Sequence, residues 1–529
     1  MTGSNVKTYD VIVFGAGIDG LTAAAYCAQA GLSVCVIGDL QAGDRRRARL
    51  GRSGASAPGD QREPSRMEPI LDDRDGDETR AGEPADWREA IDHFRPPIPA
   101  DIWRDLKLYE TGLDAAPATR RITLREGAAA VRTGRAFLEA PGATGLARED
   151  EDIGAAFFSG LTQYADVLNG LEQAADSQAS TGRARPFASL ADPALATALG
   201  FAAQAYAPRL QAMFADERLA AHLAAPAFVA SGQGPFAAGA GYAFIRAHDP
   251  RRWPVKMNLL ALQRALRARV LDAGGEIRGE VSVDGLRDLA ARHIQVQLSD
   301  ETSIGGRMVF ADVGLRRLRP LLVADPERSD PRMGPGSVRT ALMHVALSAP
   351  MPNTGDAALD PGAAIYLTEG LEAMQEAHED WLQRRLPSRL TAELCVSRSG
   401  DVVSMKIAAC GSGPRLSAGD LFDPPWSEED REALKARAIA LASLAIPGFK
   451  TAMQEADLLM GEGAAEGFGS EASATGLGGS LLLPAGQVST GPALPARLAF
   501  VGGGDGSGAL GASAARRALS SVFKRGASL

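Results

Sequence analysis

The feature that most constrains this chain is a glycine corner, Gly15-Ala16-Gly17-Ile18-Asp19-Gly20, set between an unbroken apolar run and an alanine-rich one. Tyr9–Phe14 (YDVIVF) is β-branched and aromatic without strict alternation, the pattern of a strand buried on both faces. Leu21–Ala30 reads as a helix, Gly31 ends it, and Ser33–Ile37 (SVCVI) is a second buried strand. Together these form a complete βαβ unit. In such a unit Gly15 permits the sharp turn out of the strand, Gly17 lets a diphosphate approach the backbone, and Gly20 lets the helix pack closely on the strand. The N–H groups of the helix's first turn and the positive end of its dipole then favour an anion. An α/β turn that needs glycine for packing alone is the plain alternative; the strand before, the helix and the strand after favour a dinucleotide.

The second requirement is an acid at the end of the second strand, about 20 residues on, for the ribose hydroxyls. Asp39 lies 19 residues after Gly20 and can serve, although Gly38 holds the more usual place and a solvated strand-end aspartate looks the same. The far end of the chain separates FAD from NAD. Leu498–Val501 (LAFV) is a buried strand that runs into Gly502-Gly503-Gly504-Asp505, and Gly511-Ala512 opens a small-residue helix expected over about 512–524. Close backbone approach and a helix N-terminus suit the ribityl chain and pyrimidine edge of a flavin, with Gly504, Asp505, Gly511 and Ala512 as contacts. FAD is the expected cofactor, and nothing resembles a separate nicotinamide subdomain. A glycine-rich loop ahead of a capped helix is the bland alternative.

Between these ends the composition shifts abruptly. Residues 41–90 are rich in Arg, Asp, Glu, Gly, Pro and Ser, too polar to offset their ordering entropy, and read as a disordered insertion. Order returns near Phe94. Helices are predicted over Pro99–Leu108 (Ile102, Leu106 and Trp103 inward), through much of Asp152–Leu223, over Leu259–Gly275, and over Ser427–Leu444 with a capping box. Glu276–Val283, His293–Leu298 and Met308–Ala311 read as strands.

Bulk properties exclude more than they identify. A chain of 529 residues implies two or three domains. A net charge of −9, spread along the chain, argues against nucleic acid as a partner. The four cysteines form no C-x-x-C pair, and the six histidines show neither metal spacing nor pairing with a nucleophile. No apolar run of about 18 residues and no N-terminal leader pattern appears, so the expected location is cytoplasmic. Peripheral membrane contact, self-association and a protein partner stay open.

The opening YDVIVFGAGIDGLTAAAYCAQAGLSVCVI resembles that of the phytoene dehydrogenase-like FAD-dependent oxidoreductases. The likeness continues in Trp103–Leu113, Asp216–Ala227, Gly274–Val281, Trp426–Phe449 and the C-terminal glycine segment. The resemblance implies that the backbone of Val281 meets the adenine, and that a hydrophobic, lipid-like or polyene substrate gives a hydride to the flavin. No catalytic side chain is required for that, because the cofactor carries the chemistry. The chain departs from the family in three places. Gly38 stands where a glutamate is usual, and the charged insertion replaces an Arg and Gly-Gly tract. Lys256-Met257-Asn258-Leu259 replaces a Gly-Gly-Met-Gly-like turn, and the C-terminal segment is shorter and lacks a Thr-His-Pro element. These departures leave open a second reading, a catalytically inactive subunit that keeps the fold as a scaffold.

The expected architecture is α/β. A Rossmann-like, three-layer FAD-binding domain would be assembled from residues 8–40, 255–330 and 490–529. An α+β substrate or cap domain would come from 91–254 and 331–489.

Overall fold

The computed structural model describes residues 7–38, 91–126, 130–134, 148–181, 192–279, 281–289, 293–313, 321, 338–349, 361–383, 385–397, 399–410, 427–459, 497–501 and 508–523. The insertion 41–90 lies outside them, as do Asp39, Gly504 and Asp505.

The N-terminal unit forms as its sequence dictates: β1 (Lys7–Phe14), α1 (Ile18–Gln29) and β2 (Val34–Ile37). Among the described residues five strands run parallel, in the spatial order Glu276–Arg278, β2, β1, Ser303–Ala311, Leu498–Phe500. The long strand Ser303–Ala311 is shared along its outer edge. Its first half pairs antiparallel with His293–Leu298, its last three residues pair parallel with Leu498–Phe500. Alternate residues of β1 explain why the sequence shows no alternation. Val11 and Val13 pack under a helical layer built from α1, Leu259–Asp272 and Ala509–Ser521. Ile12 and Phe14 pack under the antiparallel strands Val283–Leu289 and His293–Leu298. Helices, parallel sheet and antiparallel strands are the three layers, a Rossmann-like α/β domain.

The second domain is α+β. Its seven-stranded mixed sheet has the order Met453–Leu459, Val338–Leu347, Val402–Cys410, Ala392–Val396, Ala364–Leu367, Arg121–Leu124, Val131–Thr133. Glu428–Ala445 covers one face, where Trp381 joins it, and a helical layer that includes Glu217–Ser231, Ala240–Ala247 and most of Leu371–Leu382 covers the other. His222 pins that layer to the sheet: its Nδ1 and Nε2 lie 2.7 Å from the hydroxyls of Thr123 and Thr133. Burial, with Arg121 adding to it, lowers this imidazole to about 3, so it stays neutral and can satisfy one donor and one acceptor.

A three-stranded antiparallel sheet joins the two domains: Asp92–Arg95, Val255–Asn258 and Ala115–Pro117. The central strand runs directly into the helix Leu259–Asp272, whose N-cap is Asn258. Lys256 is buried there, its Nζ donating to the carbonyls of Val396 (2.6 Å) and Pro361 (2.9 Å) and lying 3.7 Å from Asp92.

Several elements differ from their predicted bounds. The helix predicted over Pro99–Leu108 is shorter, Ala100–Asp105, with Ile102 and Leu106 buried and Trp103 only half-buried. Glu276–Val283 is not one strand: it breaks after Arg278, and a separate strand, Val283–Leu289, pairs with His293–Leu298. Its Asp284, Arg287 and Asp288 hid it. Ser427 caps Glu428–Ala445, its hydroxyl accepting the Asp430 N–H at 3.1 Å.

Glu276 begins the outer strand of the parallel sheet and accepts from Lys7 (2.6 Å), Tyr9 (2.5 Å) and Arg278 (2.9 Å). Burial works to raise its carboxyl, but the three donors outweigh it and hold the group down at about 2. A depressed carboxylate stabilises the fold above its ordinary value and loses that contribution as pH falls through the folded value. Glu276→Gln should therefore unfold at lower urea than wild type at pH 7. Because the side chain is more than a third exposed, the gap should be about 1 kcal/mol or less. It should close as the pH drops from about 4.5 towards about 2. An equal gap across that range in urea melts would contradict this account.

Candidate functional site

The carboxyl ends of the parallel strands meet at the glycine corner. Gly15 donates its N–H to the Ile37 carbonyl (2.8 Å), Asp312 to Phe14 (2.7 Å) and Val501 to Ala311 (2.8 Å). β1 lies between β2, to which its connection through α1 leads, and Ser303–Ala311, which enters the sheet from the far side of the chain. In open α/β sheets ligands bind in the crevice at such a switch point.

Gly15 has φ +101, a conformation that L side chains rarely adopt, and a Cβ there would meet the Asp312 carbonyl oxygen at 2.1 Å. Gly17 is the N-cap of α1, without a side-chain cap of its own. The space next to it is taken by protein: a Cβ on Gly17 would lie 2.5 Å from Asp312 Oδ2, and one on Gly20 2.6 Å from the same atom. That oxygen accepts the Gly20 N–H at 2.7 Å. The sequence reading gave Gly17 to a diphosphate; the atoms nearest its missing side chain are the carboxylate of Asp312. A carboxylate at a helix N-terminus is favourable by about 0.3–1 kcal/mol. Among the described residues no acceptor receives the N–H of Gly17 or Ile18, and these remain for an anion. The corner thus fits a dinucleotide through two donors rather than the whole first turn.

Ala16 is half-buried, and its methyl would lie 2.9 Å from a Cβ on Gly38. That contact accounts for glycine at a place where the resembling family carries glutamate. Val281 is half-buried beside the antiparallel strands, between the outer parallel strand and Val283–Leu289.

The C-terminal helix begins at Ala509, earlier than predicted, with Gly508 as N-cap at φ +81. Gly511 and Ala512 therefore lie inside it. Gly511 donates its N–H to Asp19 Oδ1 at 3.1 Å, and a Cβ there would fall 1.8 Å from the Asp19 carbonyl oxygen. Ala512 is buried in the core beneath the helical layer. Both residues dock the last helix against α1. Further along the same seam, Arg516 donates to Asp101 (2.7 Å), Asp105 (3.1 Å) and the Tyr26 hydroxyl (3.0 Å). Burial raises the Tyr26 hydroxyl.

Sequence reasoning missed Asp312 and the side-chain role of Asp19, which is itself buried. The signal for Asp312 was its position directly after the strand beside β1. The two carboxylates, Asp19 buried and Asp312 half-buried, form a matched pair: each takes the third amide of a helix, Asp312 that of α1 and Asp19 that of the C-terminal helix. Gly511→Ala must push the two helices apart, and we expect a loss of about 1–3 kcal/mol in denaturant melts; unchanged stability would mean the contact is not as close as described.

Residues 10–93 match the family described as FAD binding domain. No curated protein matches the chain. Two solved structures share the fold over nearly the full length. One is a putrescine oxidase variant with redesigned cofactor binding, 14% identical, covering 98% of this chain and 99% of that chain with a TM-score of 0.50. The other is an oxidoreductase from Methanosarcina mazei, 12% identical, covering 97% and 100%, also with a TM-score of 0.50. At these identities the likeness is one of fold. The family match agrees with the cofactor expected from the sequence: the dinucleotide for which this domain is built is FAD.

Proposed function

We propose that this chain is an FAD-dependent oxidoreductase that takes a hydride from a hydrophobic, lipid-like or polyene substrate. The observation that carries the reading is the pair of amides, Gly17 and Ile18, at the switch point of a parallel sheet within a segment that matches the FAD binding domain family. In this reading Gly15, Ala16, Gly17 and Gly20 border the diphosphate, Asp39 holds the ribose, and the Val281 backbone meets the adenine. Gly504 and Asp505 approach the flavin, while Gly511 and Ala512 set the last helix in place behind them. Bound FAD supplies a two-electron acceptor for a hydride.

The second domain suits an apolar substrate and a dry reaction. Its helical layer packs Phe201, Phe214 and Phe244 around Phe157, with Tyr206 stacked on Phe244 at 4.5 Å. Histidine acid–base chemistry has little support here. Burial holds His93, His222 and His248 neutral, and each is enclosed in the core. No helix among the described residues is long and apolar enough to cross a membrane. One observation favours the scaffold reading, the Asp312 carboxylate at the diphosphate-binding turn.

Purified protein supplied with FAD should show the two-band visible spectrum of oxidised flavin, release flavin on denaturation, and bleach anaerobically with a polyene or long-chain lipid substrate. Colourless protein that takes up no added FAD would overturn the enzyme in favour of the scaffold. Yellow protein bleached only by small polar amines or acids would overturn the substrate class.

A further inference from the structure

The arrangement at the corner bears on how the cofactor is held. We infer that Asp312 makes FAD a dissociable ligand of this chain rather than a permanently seated one, by setting a negative charge against its diphosphate. The inference rests on the reading of residues 15–20 as the FAD site.

Contacts with the glycine corner fix where Asp312 stands. Its N–H is bonded to Phe14, its carbonyl oxygen lies over Gly15, and its Oδ2 is bonded to the Gly20 amide. The residue is thus held at both backbone and side chain, and the carboxylate cannot swing away without giving up the Gly20 N–H. It already uses one first-turn donor and part of the positive end of the α1 dipole, the two features that attract phosphate to a helix start. A diphosphate bonded to the Gly17 and Ile18 amides would sit beside this charge. Asp19, buried in the same turn, adds a second carboxylate, directed to the Gly511 amide. Like charges a few ångströms apart at a half-buried position oppose each other by an amount that is felt directly in affinity. The glycines admit the carboxylate: a side chain at either Gly17 or Gly20 would displace it.

The test is ligand binding to the full chain, with FAD, ADP and adenosine as probes in titration calorimetry. Asp312→Asn removes the charge and keeps an oxygen for the Gly20 N–H; Asp312→Ser is a second variant that also retains an acceptor. We expect either variant to bind FAD and ADP about tenfold more tightly than wild type. Adenosine, which carries no phosphate, should bind wild type and variant alike. On desalting, wild type should lose its flavin while Asp312→Asn keeps it. A purely structural cap would show the opposite sign, because loosening the turn weakens every ligand. Wild type that binds FAD with an affinity the substitutions do not raise would overturn the inference and leave the FAD site standing. An equal gain for adenosine would also overturn it, since the effect would not act through phosphate. If no form binds FAD or ADP, the inference and the FAD site fall together.

Discussion

The close approach of Asp312 to three side-chain-free positions is the contact on which the cofactor domain depends. It joins parts of the chain 292 residues apart, Gly20 and Asp312. Pairing of β1 with Ser303–Ala311 sets the approach, matching Phe14 to Ala311 so that the next residue of each strand arrives at the same corner. Any side chain on Gly15, Gly17 or Gly20 would strike atoms of Asp312. The register of the sheet and the glycine pattern therefore enforce each other, and a slip of one residue would bring Val313 rather than an acid to the helix start.

The C-terminal helix repeats the device. Gly508 and Gly511 let it lie against Thr22 and Asp19 with almost no separation. The first and last helices of the domain then share one apolar layer in which alanines dominate: Ala23, Ala24, Ala25 and Ala28 from one, Ala512, Ala514, Ala515 and Ala518 from the other. Small residues on both sides bring the backbones close. Tyr26 and Arg516 close the seam with a polar clasp to Asp101 and Asp105.

How legible this was in the sequence depended on how local each cause is. The βαβ unit was plain because its signals (an apolar run, glycines at fixed offsets, an alanine-rich helix) lie within one short stretch. His293–Leu298 was equally plain, since Ile294, Val296 and Leu298 alternate inward. Val283–Leu289 was obscured by its acids and arginine, which are tolerated on a strand with one open face. The early start of the last helix was hidden because Gly508, at positive φ, is a cap that owes its place to Thr22, far away in the chain. Asp312 was missed for the same reason: its place directly after a strand is legible, but nothing in its own neighbourhood reveals that the turn it caps belongs to the N-terminus. Glycine at residue 38 looked like a defect by comparison with the resembling family, and the Ala16 methyl gives it a steric cause.

The bridge at Val255–Asn258 carries a mechanical consequence. One end of that strand is stitched to Asp92–Arg95 and Ala115–Pro117, and the other continues without a joint into a helix under the parallel sheet. Lys256 anchors it to carbonyls of the neighbouring lobe from a position shielded from water. Swinging the two lobes apart would break those bonds and unmake a buried, fully partnered ammonium, so clamshell breathing is a costly route here.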